Sequence, residues 1–237
     1  METNIIGFIT LIVFMVLGFG LTTLFRKWLD IPTLIAVAIG TAINANLYTS
    51  ISNPIYVGQF VFSMEIVLNA LFMYTVIIRI LDYGYKESRN MTYTTIVAII
   101  ISAVIELVAS LAYRGFSIDT IKVFSYYLFS CIGTILGVWV MIWITIRCRE
   151  KNLSPYLIIP FALIAASIIH SLFYYGGIAL VAWDRLFSIY KPLGAIMGKA
   201  VFIGVALLCY FINQKYWIPN NLLAKREEIE TREDEKE

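Results

Sequence analysis

Apolar runs of roughly 17–25 residues recur along this chain, each closed by a short polar or basic cluster. A helix that crosses roughly 30 Å of hydrocarbon needs a run of that length. Seven runs answer to it: Ile5–Phe25, Pro32–Tyr48, Phe60–Leu81, Tyr93–Tyr113, Val123–Ile146, Tyr156–Phe173 and Leu193–Ile212. The chain spends 60% of its 237 residues on hydrophobic side chains and only 14% on charged ones, with a mean hydropathy of +0.81. Water-soluble domains carry about 25% charged residues. The pattern therefore predicts an all-α integral membrane protein, a bundle of seven transmembrane helices. Six is the alternative, because the second run ends in Asn44 and Asn46 and is the weakest. The first run lacks a positive leader and a small-residue cleavage pattern, so it is read as a span rather than a signal peptide.

Basic residues orient the bundle. Arg26 and Lys27 follow run one, Lys86 and Arg89 run three, Arg147, Arg149 and Lys151 run five, and Lys215, Lys225 and Arg226 run seven. The alternate connections are poorer in Lys and Arg. The positive-inside rule then puts the N-terminus outside and the C-terminus in the cytoplasm of a multi-pass protein of the cell membrane. Residues 1–217 form the helix bundle, and 218–237 form a charged cytoplasmic tail. The segment "GGIALVAWDRLFSIY", broken by Gly176-Gly177 and Asp184-Arg185, is predicted to be interfacial or re-entrant. "GTILG" (133–137) and "GAIMG" (194–198) place glycines four apart on one helix face, where a neighbouring backbone can approach. Pro160 lies one turn inside run six and frees a carbonyl there.

An ionisable side chain at the centre of a membrane helix costs about 2.5–3.5 kcal/mol on insertion scales, so such groups turn inward and mark function. Glu65, Glu106, His170 and Lys199 stand in apolar runs. Arg79 and Asp82 stand near a run end, where they can snorkel to the interface. Asn69 is four residues after Glu65 and shares its helix face. Ser102, Glu106 and Ser110 form a polar stripe flanked by alanines. Ser167 and Ser171 flank His170. Asn44 and Asn46 add amides at the outer end of run two. The candidate substrate-binding set is therefore Glu65, Asn69, Glu106, His170, Lys199, Asn44 and Asn46, lining a polar cavity between helices. Phe72, Tyr74, Tyr126, Tyr127, Phe173, Tyr174 and Tyr175 are candidate walls. The structural alternative is that these polar groups pair to hold helices in register.

These features predict a transporter or substrate-binding uptake subunit for a small polar organic molecule; a nitrogen-rich planar ligand would suit carboxylates, amides and stacking aromatics. No ATP-binding motif is present, so any ATP coupling would come from energising partner subunits. The partners expected are the lipid bilayer and the small-molecule substrate, with no nucleic acid. No catalytic motif points to an enzyme, and the cysteines Cys131, Cys148 and Cys209 and the single histidine suggest no cofactor, metal site or disulfide framework. The alternatives are an accessory or structural subunit of a membrane complex and, further off, a retinal-type sensor built on Lys199.

"LDYGYKESRN" (81–90) resembles the acidic-x-Tyr-Gly-x-Lys-x-Ala-Arg segment of the queuosine-precursor transporter family, also called the vitamin-uptake transporter family, and "NANLY" (44–48) is similar to an Asn-containing segment near the start of that family's core. The likeness covers about a quarter of the chain, and Asp82 stands alone where the family pairs its acidic residue. It implies import of a deazapurine or vitamin-like precursor, with Asp82, Tyr83, Gly84 and Lys86 as a positioned cytoplasmic motif.

Overall fold

A computed structural model describes residues 5–25, 34–36, 38–39, 55–57, 60–62, 64–115, 118–181 and 190–216. It is almost entirely helical. In chain order come α1 (Ile5–Leu24), a small hairpin of β1 (Ile55–Val57) and β2 (Phe60–Phe62), α2 (Met64–Arg114), α3 (Ile118–Glu150), α4 (Pro155–Val181) and α5 (Tyr190–Tyr216). Among the described residues, four helical stretches are long and apolar enough to cross a membrane: Ile5–Leu24, Ile66–Lys86, Phe124–Glu150 and Pro155–Val181. Two shorter apolar stretches, Thr92–Ile105 and Lys199–Ile212, complete the set.

The bundle is organised around the first part of α2. Every residue from 71 to 81 is buried, and most of Ile66–Lys86 lies inside the protein, whereas only Leu11, Met15, Phe19, Thr22 and Thr23 of Ile5–Leu24 do. A helix that is apolar all round is one covered on every face, by neighbouring helices or by lipid. Here α1, α3, α4 and α5 all pack on α2. Phe19 of α1 meets Tyr74 of α2 edge to face, with ring centroids 4.8 Å apart. The Tyr74 hydroxyl lies 3.0 Å from Thr23 Oγ1, and Thr23 also donates to the Phe19 carbonyl. The outer faces are apolar in turn. Trp139 and Trp143 of α3, Phe161 and Leu180 of α4 and Leu208 of α5 are all more than half exposed.

The α3–α4 pair shows why its sequence turns where it does. α3 ends in a Schellman motif. Asn152 adopts the left-handed conformation at φ 54°, its N–H donates to Arg149 O at 2.8 Å, and Leu153 N–H donates to Cys148 O at 3.1 Å. Ser154 then caps α4 through its carbonyl, which accepts from Leu157 and Ile158, and Pro155 takes the first helical position, where no N–H is needed. The two helices then pack antiparallel through the predicted glycines. A Cβ at Gly137 would stand 2.9 Å from Ala166 O, and one at Gly133 would stand 3.0 Å from His170 O. Further along, Gly177 accommodates the ring of Phe129.

Several expectations are corrected. The predicted third span does not begin at Phe60: residues 60–62 pair antiparallel with 55–57 in the register Ile55↔Phe62, Tyr56↔Val61, Val57↔Phe60, and the helix starts at Met64. Aromatic and β-branched residues suit a strand as well as an apolar helix, and hydropathy does not separate the two. Helical turns run through residues 81–90 on both sides of Gly84, which departs from helical geometry at φ 81° and ψ 175°, so α2 is two helices, the third and fourth runs, that meet at a kink. Gly176-Gly177 does not break α4, which continues to Val181. Arg79 does not snorkel; it is 6% exposed and its guanidinium lies 4.4 Å from the Tyr83 ring centroid. Most of the predicted second run, with Asn44 and Asn46, lies outside the described residues, as do the tail and residues 182–189.

Candidate functional site

Among the described residues, the interior of the bundle carries a polar node built by four helices. Asn69 comes from the buried arm of α2, Thr134 from α3, Ser167, His170 and Ser171 from α4, and Lys199 from α5. Asn69, Thr134, His170 and Lys199 are respectively 2%, 1%, 4% and 6% exposed. The Lys199 ammonium donates to Ser171 Oγ at 2.7 Å and to the Ser167 carbonyl at 3.2 Å. It also lies 3.4 Å from His170 Nδ1. The other ring nitrogen, Nε2, lies 3.4 Å from the Asn69 amide nitrogen. Thr134 Oγ1 lies 3.3 Å from Asn69 Oδ1. The order of contact is therefore Lys199, His170, Asn69, Thr134, an unbroken polar line across the bundle.

Local sequence explains the placement. Ser167 and Ser171 are four apart, so the carbonyl of the first and the hydroxyl of the second fall on one face of α4, with His170 beside them. Gly133 brings the α4 backbone close at His170: its Cα and the His170 ring carbon Cδ2 would each be 3.4 Å from a Cβ placed on Gly133. A larger residue there would push the histidine out of line with Asn69. The Tyr174 ring, one turn further along α4, lies nearly parallel to the imidazole at 22°, with centroids 5.8 Å apart.

Three residues of the sequence-derived set, Asn69, His170 and Lys199, thus meet at one point although 130 positions separate the first from the last. Glu65 and Glu106 both lie on α2, Glu65 one turn before Asn69 and Glu106 in the arm beyond Gly84, but their side chains are outside what the structure describes. Asn44 and Asn46 are likewise outside it. Of the predicted aromatic walls, Phe72, Tyr74, Tyr126, Tyr127 and Tyr174 are buried, whereas Phe173 is 39% exposed. Sequence reasoning missed Thr134. Its signal was present, because it follows Gly133 inside "GTILG", on the segment where α3 and α4 come closest.

What the node can do follows from its donors. A lysine, a lone histidine with both nitrogens engaged and an amide can hold a proton in a defined place, or bind a polar molecule that exchanges hydrogen bonds with them. Comparison of the chain with protein-family models, with curated proteins and with solved structures finds no match.

Proposed function

We propose that this chain is a multi-pass membrane transporter, or a substrate-binding uptake subunit, for a small polar organic molecule, and that the Lys199–His170–Asn69 line is the polar part of its binding site. The observation that carries the reading is the convergence of Lys199, His170 and Asn69 from three helices at under 7% exposure. Ionisable groups within apolar helices are expensive and face the pathway of a substrate or ion. A bundle held only by shape would dispense with them.

The topology proposed is seven spans in the cell membrane, N-terminus outside and C-terminus in the cytoplasm, from the distribution of Lys and Arg. Glu65, Glu106, Asn44 and Asn46 are proposed as further substrate contacts. The resemblance of residues 81–90 to the queuosine-precursor transporters supports a deazapurine or vitamin-like precursor as cargo, a planar nitrogen-rich ring that the node's donors and the Tyr174 face would suit. Partner subunits would supply energy if the uptake is ATP-driven.

The test is uptake of labelled nucleobases, deazapurines and vitamins by cells producing the chain, with His170→Ala measured at matched membrane levels. Uptake of one class, lost in the variant, is the expected result. A second reading, an accessory subunit of a membrane complex, is favoured by the polar groups finding protein partners within the node. Absence of uptake across the panel, with a variant that only melts earlier, would replace the transporter by that subunit.

A further inference from the structure

The contact between α3 and α4 falls into two halves. Beyond the level where Gly137 meets Ala166 O, its buried residues are apolar: Val138, Met141 and Ile142 from α3, and Ile158, Ile159 and Leu163 from α4. Thr145 is buried there too, and its hydroxyl donates to the Met141 carbonyl of its own helix. Toward the end of the bundle where α3 begins, the character changes. Tyr126, Tyr127, Ser130 and Thr134 of α3 are 4%, 2%, 1% and 1% exposed, and His170, Ser171 and Tyr174 of α4 are buried with them. Buried polar side chains thus run along this contact from the node to one end.

Tyr126, Ser130 and Thr134 follow at intervals of four residues, so they share a face of α3. At about 1.5 Å per residue, Tyr126 lies about 12 Å from Thr134 along the axis. Thr134 is the member that touches the node, 3.3 Å from Asn69 Oδ1. Tyr126 stands at the far end of the face. Its hydroxyl is buried and has no hydrogen-bond partner among the described residues. A phenylalanine would pack the same ring without burying an unbonded hydroxyl. A tyrosine is accounted for by a group that comes and goes, bonding the hydroxyl when that end of the contact opens.

What closes that end differs from what closes the rest. At Gly133 and Gly137 the helices meet through backbone, at the His170 and Ala166 carbonyls. Nearer the end, the ring of Phe129 fills the space beside Gly177. A ring can change rotamer while its helix stays in place; a backbone contact opens only if a helix moves.

We propose that a substrate reaches the Lys199–His170–Asn69 node along the Tyr126–Ser130–Thr134 face of α3, entering where α3 begins, and that the Tyr126 hydroxyl is its first polar contact. That end is the outer one in the proposed topology. The proposal rests on the transporter reading and adds a route and a residue to it. The ligand chemistry that suits the contact is a small molecule with a carbonyl, a carboxylate or a ring nitrogen at its edge, to which the phenol donates. The hydroxyls of Ser130 and Thr134 stand at the next two turns inward.

Cysteine labelling tests the route without a known substrate. The probe is 2-(trimethylammonium)ethyl methanethiosulfonate, a permanently charged reagent that stays in water and reacts with thiolate rather than thiol. The thiolate displaces methanesulfinate and forms a mixed disulfide. The full chain, held in lipid nanodiscs so that both ends meet the reagent, carries one substitution at a time. Tyr126→Cys, Ser130→Cys and Thr134→Cys probe the face. Leu128→Cys and Ile132→Cys probe the outer side of α3, where the native residues are 44% and 36% exposed. Ile118→Cys, at a position 70% exposed and ahead of the apolar stretch that starts at Phe124, shows that the reagent works. Mass spectrometry locates the label, so Cys131, Cys148 and Cys209 stay in place.

The expected result inverts the order of exposure. Tyr126→Cys and Ser130→Cys react at least about tenfold faster than Leu128→Cys and Ile132→Cys, whose thiols are held protonated by apolar surroundings. Tyr126→Cys reacts before Ser130→Cys, and Ser130→Cys before Thr134→Cys. Ser130→Cys exchanges a single atom and carries the test if Tyr126→Cys does not fold. Three results would each overturn the proposal: no label on this face while Ile118→Cys reacts, equal rates on the two sides of α3, or a label that reaches Thr134→Cys before Tyr126→Cys. Labelling in a chain that takes up no compound keeps the route and removes the transporter reading. Uptake without labelling removes the route alone.

Discussion

At the scale of single residues, what made the node legible was cost. A histidine, a lysine and an asparagine in apolar runs stand out because membrane helices tolerate them only for a reason. Thr134 escaped notice because a hydroxyl on an apolar helix is cheap; it bonds its own backbone readily, as Thr75 and Thr145 do here with the carbonyls four residues before them. Arg79 was misplaced because its nearness to a run end suggested an escape to the interface, whereas the ring of Tyr83 receives it inside. Gly133 is the residue on which the node's geometry depends most visibly. Gly133→Ala sets a methyl group 3.0 Å from the His170 carbonyl oxygen, and backbone cannot give way as a side-chain tip does. We expect a loss of about 1–3 kcal/mol, the usual cost of overpacking, read as an earlier thermal transition in detergent. Gly204→Ala, where a Cβ meets nothing within 4 Å, is the control and is expected to be neutral or stabilising.

At the scale of elements, hydropathy located the apolar helices but not their joints. The α3–α4 connection was readable in principle, since Asn, Ser and Pro at 152, 154 and 155 are the residues a left-handed cap, an N-cap and a first helical turn favour. The joint at Gly84 was not. A loop and a one-residue kink between two helices have the same composition, and only the backbone distinguishes them. Gly84, at φ 81° and ψ 175°, occupies a region open essentially to glycine alone. A Cβ there would also stand 3.0 Å from Arg149 Nη1. Gly84→Ala is therefore expected to cost about 1–3 kcal/mol. Gly20→Ala, inside α1 with open space around it, should instead gain a few tenths to about 1 kcal/mol from helix propensity. If unfolding of the two variants showed equal transitions, the bend at Gly84 would not be a fixed feature of the fold.

At the scale of the whole molecule, the account depends on a bundle that is apolar outside and carries, among its described residues, a hydrogen-bonded polar node shared by four helices. Hydrogen-bonded polar cores and apolar cores of similar volume are often equally stable, and the apolar version is at times more so. A network kept only for stability is therefore replaceable, whereas one kept for function is not. The measurement that tests this most directly is thermal unfolding of the double variant Lys199→Met/His170→Leu, beside the native protein, with and without the compound that native cells take up. Bound ligand raises the apparent stability in proportion to its excess over Kd. The result expected is a double variant that melts at or above the native temperature without ligand and gains nothing when ligand is added. A double variant that keeps the native ligand-induced shift would contradict the account, because the polar line would then be neither the binding site nor coupled to it.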